Sequence, residues 1–273
     1  MMALILYYSH FIYFTLLTTL LSNLCCYSFN PKLLNVTKLE SGSDWSPARA
    51  SWYGNPSGAG SDGGACGYGN AVEAASFSSL ITAAASSLYN SGKACGTCFQ
   101  VKCTSSKVCS GNPVRVVITD ECPGCDSQSL LFDLSGTSFG TMATSGEADQ
   151  LRNVGIEQIQ YRRVECNYPG VSVAFRVDPG SNANYFATAV EYEDGDGVGG
   201  VELKQAADTG GSWLPMQQSW GAVWKVDLPS NYKPPFSIRL TAGGNNSGKT
   251  VVADKVIPAN YNPGQTYRSL VNF

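Results

Sequence analysis

The cysteines constrain this chain more than any other feature of its 273 residues. Eight of the ten lie between positions 66 and 166, and the last hundred residues contain none. Clustered cysteines of this number persist as disulfides only in an oxidising compartment. Their distribution therefore predicts an extracellular protein in which disulfides cross-link one half and packing alone holds the other.

The first 27 residues are predicted to be a secretory signal peptide, because an apolar run extends from Ala3 to Cys26. The run is also long enough for an uncleaved anchor helix, which remains an alternative, although no basic cluster flanks it to fix an orientation. Cleavage near residues 25–28 would remove Cys25 and Cys26 and leave eight cysteines. It would also remove His10, the only histidine.

A mature chain without His10 excludes Ser-His-Asp and Cys-His catalysis, and it lacks the commonest zinc ligand. We therefore expect no metal site and no cofactor, and any acid–base chemistry must come from carboxylates. The formal net charge of −3 and the lack of a basic stripe in the sequence argue against nucleic acid as a partner. Two sequons, at Asn35 and Asn245, are candidate glycosylation sites in a secreted protein.

The half with the cysteines is predicted to form a barrel-like β domain with small helices. Residues 28–46 are polar and aperiodic, which indicates a flexible leader, so the domain itself is placed at 47–166. Its short strand-like segments are separated by Gly-rich turns. They lie at 51–53, 99–102, 114–119 and 159–164, and two segments, 79–89 and 147–153, are predicted to be helical.

A linker at 167–170, where Pro and Gly break strand and helix, precedes a second domain at 171–273. Its strands alternate with period two: Val173, Phe175 and Val177 are apolar, while Ser172 and Arg176 between them are polar. Six or more such strands in roughly a hundred residues predict a β-sandwich. A sandwich of this size buries enough core to need no disulfides.

Ten motifs follow one another along both predicted domains. They are SWYG from Ser51, GGACGYG from Gly63, CGTCFQVKC from Cys95, TDEC from Thr119, FDLSG from Phe132, YRRVEC from Tyr161, EYEDG from Glu191, SWGAVW from Ser219, PFSIRLT from Pro235 and VIPAN from Val256. In this order they resemble the expansins of plant cell walls, and specifically the β-expansins, which include the group-1 grass-pollen allergens. The resemblance covers about residues 47 to 273.

The resemblance implies an all-β protein with short helices: a double-psi β-barrel, similar to that of family-45 endoglucanases, followed by an immunoglobulin-like β-sandwich that binds carbohydrate. It also implies the disulfides Cys66–Cys95, Cys98–Cys166 and Cys103–Cys109. Cys122 and Cys125 are left over in a Cys-Pro-Gly-Cys segment. We interpret them as a local structural disulfide, and a redox-active dithiol is the alternative.

The resemblance further implies a polysaccharide-binding groove on the barrel, lined by Trp52, Tyr53, Asp62, Asp120 and Asp133. Asp133 matches the general acid of the related endoglucanases, and an inverting hydrolase also needs a second carboxylate to activate water. Those enzymes carry it near the first strand, where this chain reads Ser-Trp-Tyr-Gly-Asn without an acid. We therefore expect no hydrolysis and interpret Asp120 and Asp133 as remnant groove carboxylates.

Each groove carboxylate also has a structural alternative. Asp133 would cap the short segment that follows it, and Asp120 would be a turn acid at the end of an apolar strand. The chain departs from the family at Leu131, where a His is usual, and at Ser51, where a Thr is usual. The first change makes the surroundings of Asp133 more apolar, and the second keeps the hydroxyl group.

In the second domain, Tyr185 and Trp220 match the aromatic residues with which the family binds flat polysaccharide, and Trp213 is a third candidate. Core packing is the alternative for any Trp. Trp224 shares a parity with Ala222 in a strand-like segment and is predicted to lie in the core, whereas Trp220 lies among Ser and Gly and is predicted to be exposed.

The resemblance implies loosening of the plant cell wall without hydrolysis, by a secreted monomer with no cofactor. Its partner would be a wall polysaccharide, namely cellulose, xylan or mixed-linkage glucan, with peripheral association at the wall or the membrane. Two alternatives remain: a weak endoglucanase or transglycosylase with Asp133 as acid and Asp62 or Asp120 as base, and a wall-binding protein without loosening activity. The acidic pI of about 5.2 weakens attraction to anionic pectin.

Overall fold

The computed structural model describes residues 45–125, 129–207, 210–244 and 247–273. The predicted signal peptide, all but the last two residues of the predicted leader and the sequons at Asn35 and Asn245 lie outside them. The first six strands are β1 (Ser46–Tyr53), β2 (Ile81–Ala85), β3 (Cys98–Cys103), β4 (Val114–Cys122), β5 (Leu130–Ser135) and β6 (Glu157–Val164).

These six strands close into a barrel in the order β1-β5-β2-β4-β3-β6. Two neighbouring pairs, β1 with β5 and β2 with β4, run parallel, and the other pairs run antiparallel. Closure leaves no strand edge exposed. The all-β prediction with a double-psi barrel is confirmed, and β1 begins at Ser46, one residue before the predicted boundary.

The inside of the barrel follows from the alternation of each strand. Phe99, Val101, Phe132 and Leu134 are buried, while the residues between them on β3 and β5 are partly exposed. Successive side chains of a strand point to opposite faces, so the apolar set of each strand fills the interior. The intervening polar residues are placed on the outer face of the barrel.

The second half forms two packed sheets. Its strands are β7 (Ala174–Val177), β8 (Tyr185–Glu191), β9 (Val198–Gln205), β10 (Leu214–Pro215), β11 (Gln217–Trp220), β12 (Val223–Asp227), β13 (Phe236–Ala242), β14 (Thr250–Ile257) and β15 (Thr266–Arg268). One sheet has the order β10-β9-β13-β14, and the other has the order β11-β12-β8-β7-β15. The predicted sandwich is therefore confirmed.

The core of the sandwich is supplied by the positions that the period-two pattern singles out. Phe175, Phe186, Phe236, Leu203 and Ile238 are fully buried between the two sheets. Trp224 is partly buried against the same core, as predicted from its parity. No disulfide lies among the described residues of this half, so apolar packing holds it together.

The helices are short: α1 (Ser86–Tyr89), α2 (Gly136–Thr141) and α3 (Ala148–Val154), with a 3₁₀ turn at Gly69–Glu73. The predicted helix at 147–153 is confirmed as α3. The predicted helix at 79–89 is wrong over most of its length, because Ile81–Ala85 forms strand β2. All five residues of β2 are buried between β4 and β5, so tertiary pairing overrides the helix preference of its alanines.

Four disulfides cross-link the barrel: Cys66–Cys95, Cys98–Cys166, Cys103–Cys109 and Cys122–Cys125. The second of these ties β3 to the segment that follows β6. The fourth closes a tight loop directly after Asp120. Every cysteine of the described residues is thus paired.

The barrel and the sandwich belong to one compact unit. Of the segment at 167–170 only Tyr168 is buried, and its backbone N–H donates to Asp194 Oδ1 at 2.6 Å. Its ring meets Phe77 of the barrel half and Tyr192 of the sandwich. Tyr168 of the predicted linker therefore contacts both halves. No helix among the described residues is long and apolar enough to cross a membrane.

Candidate functional site

Four side chains form a row across the outer face of the barrel. Ser51 on β1 pairs with Asp133 on β5, and both Asp133 and Asp120 pair with Ala83 on β2, which lies between them. Paired positions on neighbouring strands place their side chains on the same face of a sheet. The two aspartates are two strand spacings apart, about 10 Å between Cα atoms, with only a methyl group between them.

Asp133 lies in a partly apolar environment. Its hydroxyl partner is Ser51, whose Oγ donates to Asp133 Oδ1 at 2.6 Å. Leu131, two residues before it on the same face of β5, packs against the barrel core. Burial raises the pKa of Asp133 above its usual range, the Ser51 hydrogen bond opposes this shift, and the negative charge of Asp120 adds to it. Asp133 is therefore protonated more readily than a solvent-exposed carboxyl group.

Asp120 has a different environment and organises the backbone beside it. Its Oδ1 accepts hydrogen bonds from the backbone N–H of Ala65 at 2.6 Å and of Glu121 at 2.8 Å. The loop before Ala65 must pass close to β4, since a Cβ at Gly64 would lie 2.6 Å from the Thr119 carbonyl oxygen. Asp120 therefore anchors the glycine loop that carries Asp62.

Tyr53 points to the same side of β1 as Ser51. Its ring lies directly against Gly60, where a side chain would clash with it. The phenolic oxygen is buried and has no hydrogen-bond partner among the described residues. Burial raises the pKa of Tyr53, and the charges of Asp120 and Asp133 raise it further. The phenol therefore stays neutral.

The five-stranded sheet of the sandwich carries small apolar side chains on the face turned away from the sandwich core. Ala187, Ala189 and Val223 form a small cluster there, with Tyr185 packed against it. Trp220 on β11 pairs with Val223, and 48% of its surface is exposed. Tyr185 and Ala189 lie about 13 Å apart along β8, and Ala189 pairs with Val223, the partner of Trp220. Two aromatic rings therefore lie at opposite ends of a strip of small side chains.

A cleft of about 360 Å³ joins this apolar strip to the barrel. The barrel contributes Asp62 and the glycine loop, and the sandwich contributes Arg176 and Trp220. Trp220 packs on Gly67, where a Cβ would lie 2.6 Å from the indole ring. The Arg176 guanidinium donates to the Gly67 carbonyl and pairs with Glu191 at 3.1 Å. Ala65, which also lines the cleft, donates its backbone N–H to Asp120, so the cleft borders both the carboxylate row and the apolar strip.

Comparison with known proteins agrees with this two-part architecture. The family profile of the expansin C-terminal domain matches residues 173–258, and a double-psi barrel profile described as lytic transglycolase matches residues 81–161. The chain is 60% identical over 259 residues to putative expansin-B2 of Arabidopsis thaliana, covering 94% of this chain and 93% of that protein. The chain belongs to the expansin-B family.

Other relatives extend this result. Expansin-B11 of Oryza sativa subsp. japonica is 54% identical and covers 84% of this chain and 78% of its own length. The crystal structure of an expansin from Clavibacter michiganensis superimposes with a TM-score of 0.62 at 25% identity, over 84% of this chain and 98% of that one. A point mutant of that bacterial expansin, at 24% identity and the same TM-score, was crystallised with cellohexaose.

Trp52 does not belong to the carboxylate row of this expansin. It pairs with Leu134, whose side chain is fully buried, so it lies on the opposite face of β1 from Ser51. Its indole N–H donates to the Arg152 carbonyl of α3 at 2.9 Å, and its ring packs against the barrel core. The alternation of β1 therefore assigns Trp52 to packing, which corrects the expectation that it lines the groove.

Trp213 does not lie on the apolar strip either. It directly precedes β10, which belongs to the four-stranded sheet, and its ring stacks with Arg239 and Lys204. Arg239 lies between the buried residues Ile238 and Leu240, so it points away from the core. Trp213 is thus on the far side of the sandwich from Tyr185 and Trp220, and the expectation of a shared face does not hold.

Two alternatives for the aspartates are also corrected. Ser135, not Asp133, caps α2, because its Oγ accepts from the Ser138 N–H at 3.0 Å. Strand β4 continues through Asp120 to Cys122, so Asp120 is a strand residue and not a turn acid.

Sequence reasoning missed several residues of the site. The sequence indicates only that Ser51 keeps a hydroxyl group, and local pattern predicts a helix at Ala83, although Ala83 is the small residue that separates the two aspartates. The period-two pattern directs Arg176 away from the sandwich core. Nothing in the sequence links it to Gly67, which lies 109 positions away. Among the described residues, no group of three or more His, Cys, Asp or Glu is arranged to hold a metal ion.

Proposed function

We propose that this expansin loosens plant cell walls by binding wall polysaccharide and disrupting its non-covalent contacts, without hydrolysis. The observation that carries this proposal is the continuity of the surface. The cleft lined by Asp62 and Trp220 reaches the apolar strip of the sandwich at Ala189 and Val223. It borders the carboxylate row at Ala65, whose backbone N–H donates to Asp120.

The chemistry of this surface suits a glucan chain. Exposed aromatic rings such as Trp220 stack on the apolar C–H faces of sugar rings, while carboxylates accept hydrogen bonds from sugar hydroxyls. The complex of a related bacterial expansin with cellohexaose supports a β-glucan as the ligand class, and cellulose, xylan and mixed-linkage glucan remain candidate polymers.

Loosening then follows from differential binding. A long surface with exposed rings binds a chain that has separated from its neighbours better than one that is still paired with them. A ligand shifts an equilibrium only by the difference in its affinity for the two states. The protein therefore favours separated chains, and under wall tension these chains slip.

The surroundings of Asp133 support the absence of hydrolysis. An inverting hydrolase places a second carboxylate roughly 6.5–9.5 Å from its acid to activate water. On β1 the residue that pairs with Asp133 is Ser51, which hydrogen-bonds to it. Asp120 uses Oδ1 to hold the backbone of Ala65 and Glu121. Neither residue is arranged as a free base beside the acid.

A weak endoglucanase or transglycosylase is the second candidate, because the charge of Asp120 is felt by Asp133 across Ala83. Prolonged incubation with soluble β-glucan, followed by detection of reducing ends, separates the two proposals. Sustained turnover that Asp133→Asn abolishes would favour the enzyme. No turnover, or a trace unaffected by the substitution, is what a non-hydrolytic protein predicts.

A variant of Asp133 tests the role of the carboxylate in loosening. Asp133→Asn removes its titration, so we expect creep of isolated walls at acidic pH to fall by at least tenfold while binding to cellulose stays within twofold. Asp149→Asn changes an exposed aspartate on α3 and is the matched control. Walls treated with it should creep as they do with the unchanged protein. Full creep of Asp133→Asn across acidic pH would contradict this role, and loss of creep in both variants would indicate a general charge effect.

Two finer features belong to the same proposal. The motifs shared with the group-1 grass-pollen allergens support a likeness to that branch, and the four disulfides support secretion to the cell wall. Mass spectrometry of protein secreted from plant cells would locate the mature N-terminus and test the glycans proposed at Asn35 and Asn245.

A further inference from the structure

The barrel face opposite the carboxylate row is basic. In the ring of six strands, β3 lies across from β5 and β6 lies across from β2. The outer face of β3 and β6, with the adjoining ends of β1 and β4, is called the basic face below. Its charged and amide side chains are Arg49, Gln100, Lys102, Arg115, Gln158, Gln160 and Arg162.

Strand alternation shows that these side chains point outward. Gln100 and Lys102 flank Val101, which is fully buried, and Arg115 lies between the buried residues Val114 and Val116. On β6, Gln158 and Gln160 flank the buried Ile159. The apolar partners fill the barrel, so the cations and amides form its surface.

The pairing of the strands brings the cations together. Gln100 pairs with Arg115 on one side and with Arg162 on the other, so the two arginines are about 10 Å apart at their Cα atoms. The Arg162 Nε donates to Gln100 Oε1 at 2.7 Å. Trp45 lies directly before β1. The Lys102 ammonium group lies 4.0 Å from the centre of its ring, and the Arg162 guanidinium lies 4.7 Å from it. Cation–π contacts of this kind hold long basic side chains in place.

Negative charge is scarce on this face. None of the outward-pointing positions of β3, β6 and the first half of β1, all within the described residues, carries a carboxylate. Glu157 at the start of β6 is buried, and its carboxylate accepts from Ser105. Glu165 comes only after β6 has ended. The loop between β3 and β4, residues 104–113, adds Lys107 and no acid.

The net charge of −3 conceals this separation. Asp62, Asp120 and Asp133 lie on the groove side of the barrel, while the cations collect on the opposite side from four strands that are distant in sequence. A fold that separates its charges in this way has an attractive field for anions on one face, whatever its total charge.

We propose that the basic face binds unesterified polygalacturonate, so that one molecule can hold an acidic matrix polymer while its groove holds a neutral glucan. Cations on four neighbouring strands match a polymer that carries a carboxylate on every sugar. A polymer with scattered uronic acids would engage one of them at a time. The amides between the cations are donors for the sugar hydroxyls. This partner is separate from that of the proposed function, because the two faces share no residue.

The test compares two double variants with the same change of charge. Gln100→Glu with Lys102→Gln places a carboxylate between Arg115 and Arg162 and removes one cation. Gln265→Glu with Lys233→Gln makes the same two exchanges at exposed positions of the sandwich and serves as the control. Binding of each protein to polygalacturonate, to its methyl ester, to glucuronoxylan and to cellulose is measured at low and high salt, and melting curves verify folding.

We expect wild type to bind polygalacturonate at low salt and to release it at high salt, because exposed ion pairs are screened. The basic-face variant should bind it about fivefold or more weakly and still bind cellulose, and the control should behave like wild type. A Trp220→Ala variant should keep its affinity for polygalacturonate, which separates failure of this proposal from failure of the proposed function. Equal binding by both double variants, equal binding of the methyl ester or of glucuronoxylan, or no binding by wild type would overturn the proposal.

Discussion

At the scale of single residues, the site depends on how two aspartates on one face differ. Asp133 is held by one hydroxyl group and is desolvated, whereas Asp120 accepts two backbone N–H groups. The pKa of Asp133 is raised above its unfolded value of about 3.9. Its protonation therefore stabilises the fold at low pH, and this contribution is lost as the pH rises through the folded pKa.

Two substitutions should move the pKa of Asp133 in opposite directions. Ser51→Ala removes the hydrogen bond that favours the carboxylate, so the pKa should rise further. Asp120→Asn removes a negative charge and should lower it. Carboxyl-carbon NMR titration of Asp133 measures both, and the pH profile of wall creep should shift in the same two directions. Shifts of the same sign would contradict the assignment of these two partners.

The chemistry of these residues was easier to predict than their orientation. The motifs around Asp120 and Asp133 locate both carboxylates in the sequence. They do not show which face of β1 carries Trp52. Exposure does not separate the two faces either, because Ser51, Trp52 and Tyr53 are all partly buried. The pairing of Trp52 with Leu134 decides it, and that contact is 82 positions away in sequence.

At the scale of elements, strand β2 shows where local pattern fails. Ile81–Ala85 is rich in alanine and leads into a true helical turn at α1, so local preference favours one longer helix. It pairs with β4 and β5 along its two edges, and all five of its residues are buried, so its pattern does not alternate. The sandwich strands are different, because one face of most of them is exposed and the period-two pattern survives in the sequence.

The disulfides should contribute unequally to the stability of the barrel. Cys98–Cys166 closes a span of 68 residues and Cys122–Cys125 a span of 3, so loop entropy gives about 4 and under 2 kcal/mol respectively. Paired Cys→Ala variants with chemical denaturation should show this order. A larger loss of stability from the Cys122–Cys125 pair would mean that this loop supports the barrel by contacts beyond chain entropy.

Trp220 and Trp213 should contribute differently to polysaccharide binding, because they lie on different sheets of the sandwich. Trp220→Ala should weaken binding to cellulose by about five- to tenfold, as expected for the loss of one aromatic stacking contact. Trp213→Ala, on the other sheet, is the matched control and should bind within twofold of wild type. Depletion from solution by insoluble cellulose measures both. Equal losses would contradict the assignment of the binding face to the five-stranded sheet.

At the scale of the whole molecule, the surface exists because the two halves are fixed against each other. Backbone contacts such as Ala222 N–H to the Cys66 carbonyl at 2.9 Å lie beside the packing of Trp220 on Gly67. The sequence predicts both domains and their order. It does not predict their junction, because the contacts join glycine backbone to side chains more than a hundred positions away.

Creep of isolated plant walls under constant load, with reducing ends counted in the same bath, tests the central claim most directly. Purified protein should extend the walls at acidic pH within minutes and release no more reducing ends than buffer alone. Extension that grows in proportion to newly formed reducing ends would show that the walls yield by hydrolysis. Binding to the walls without any extension would show that this surface binds polysaccharide but does not loosen it.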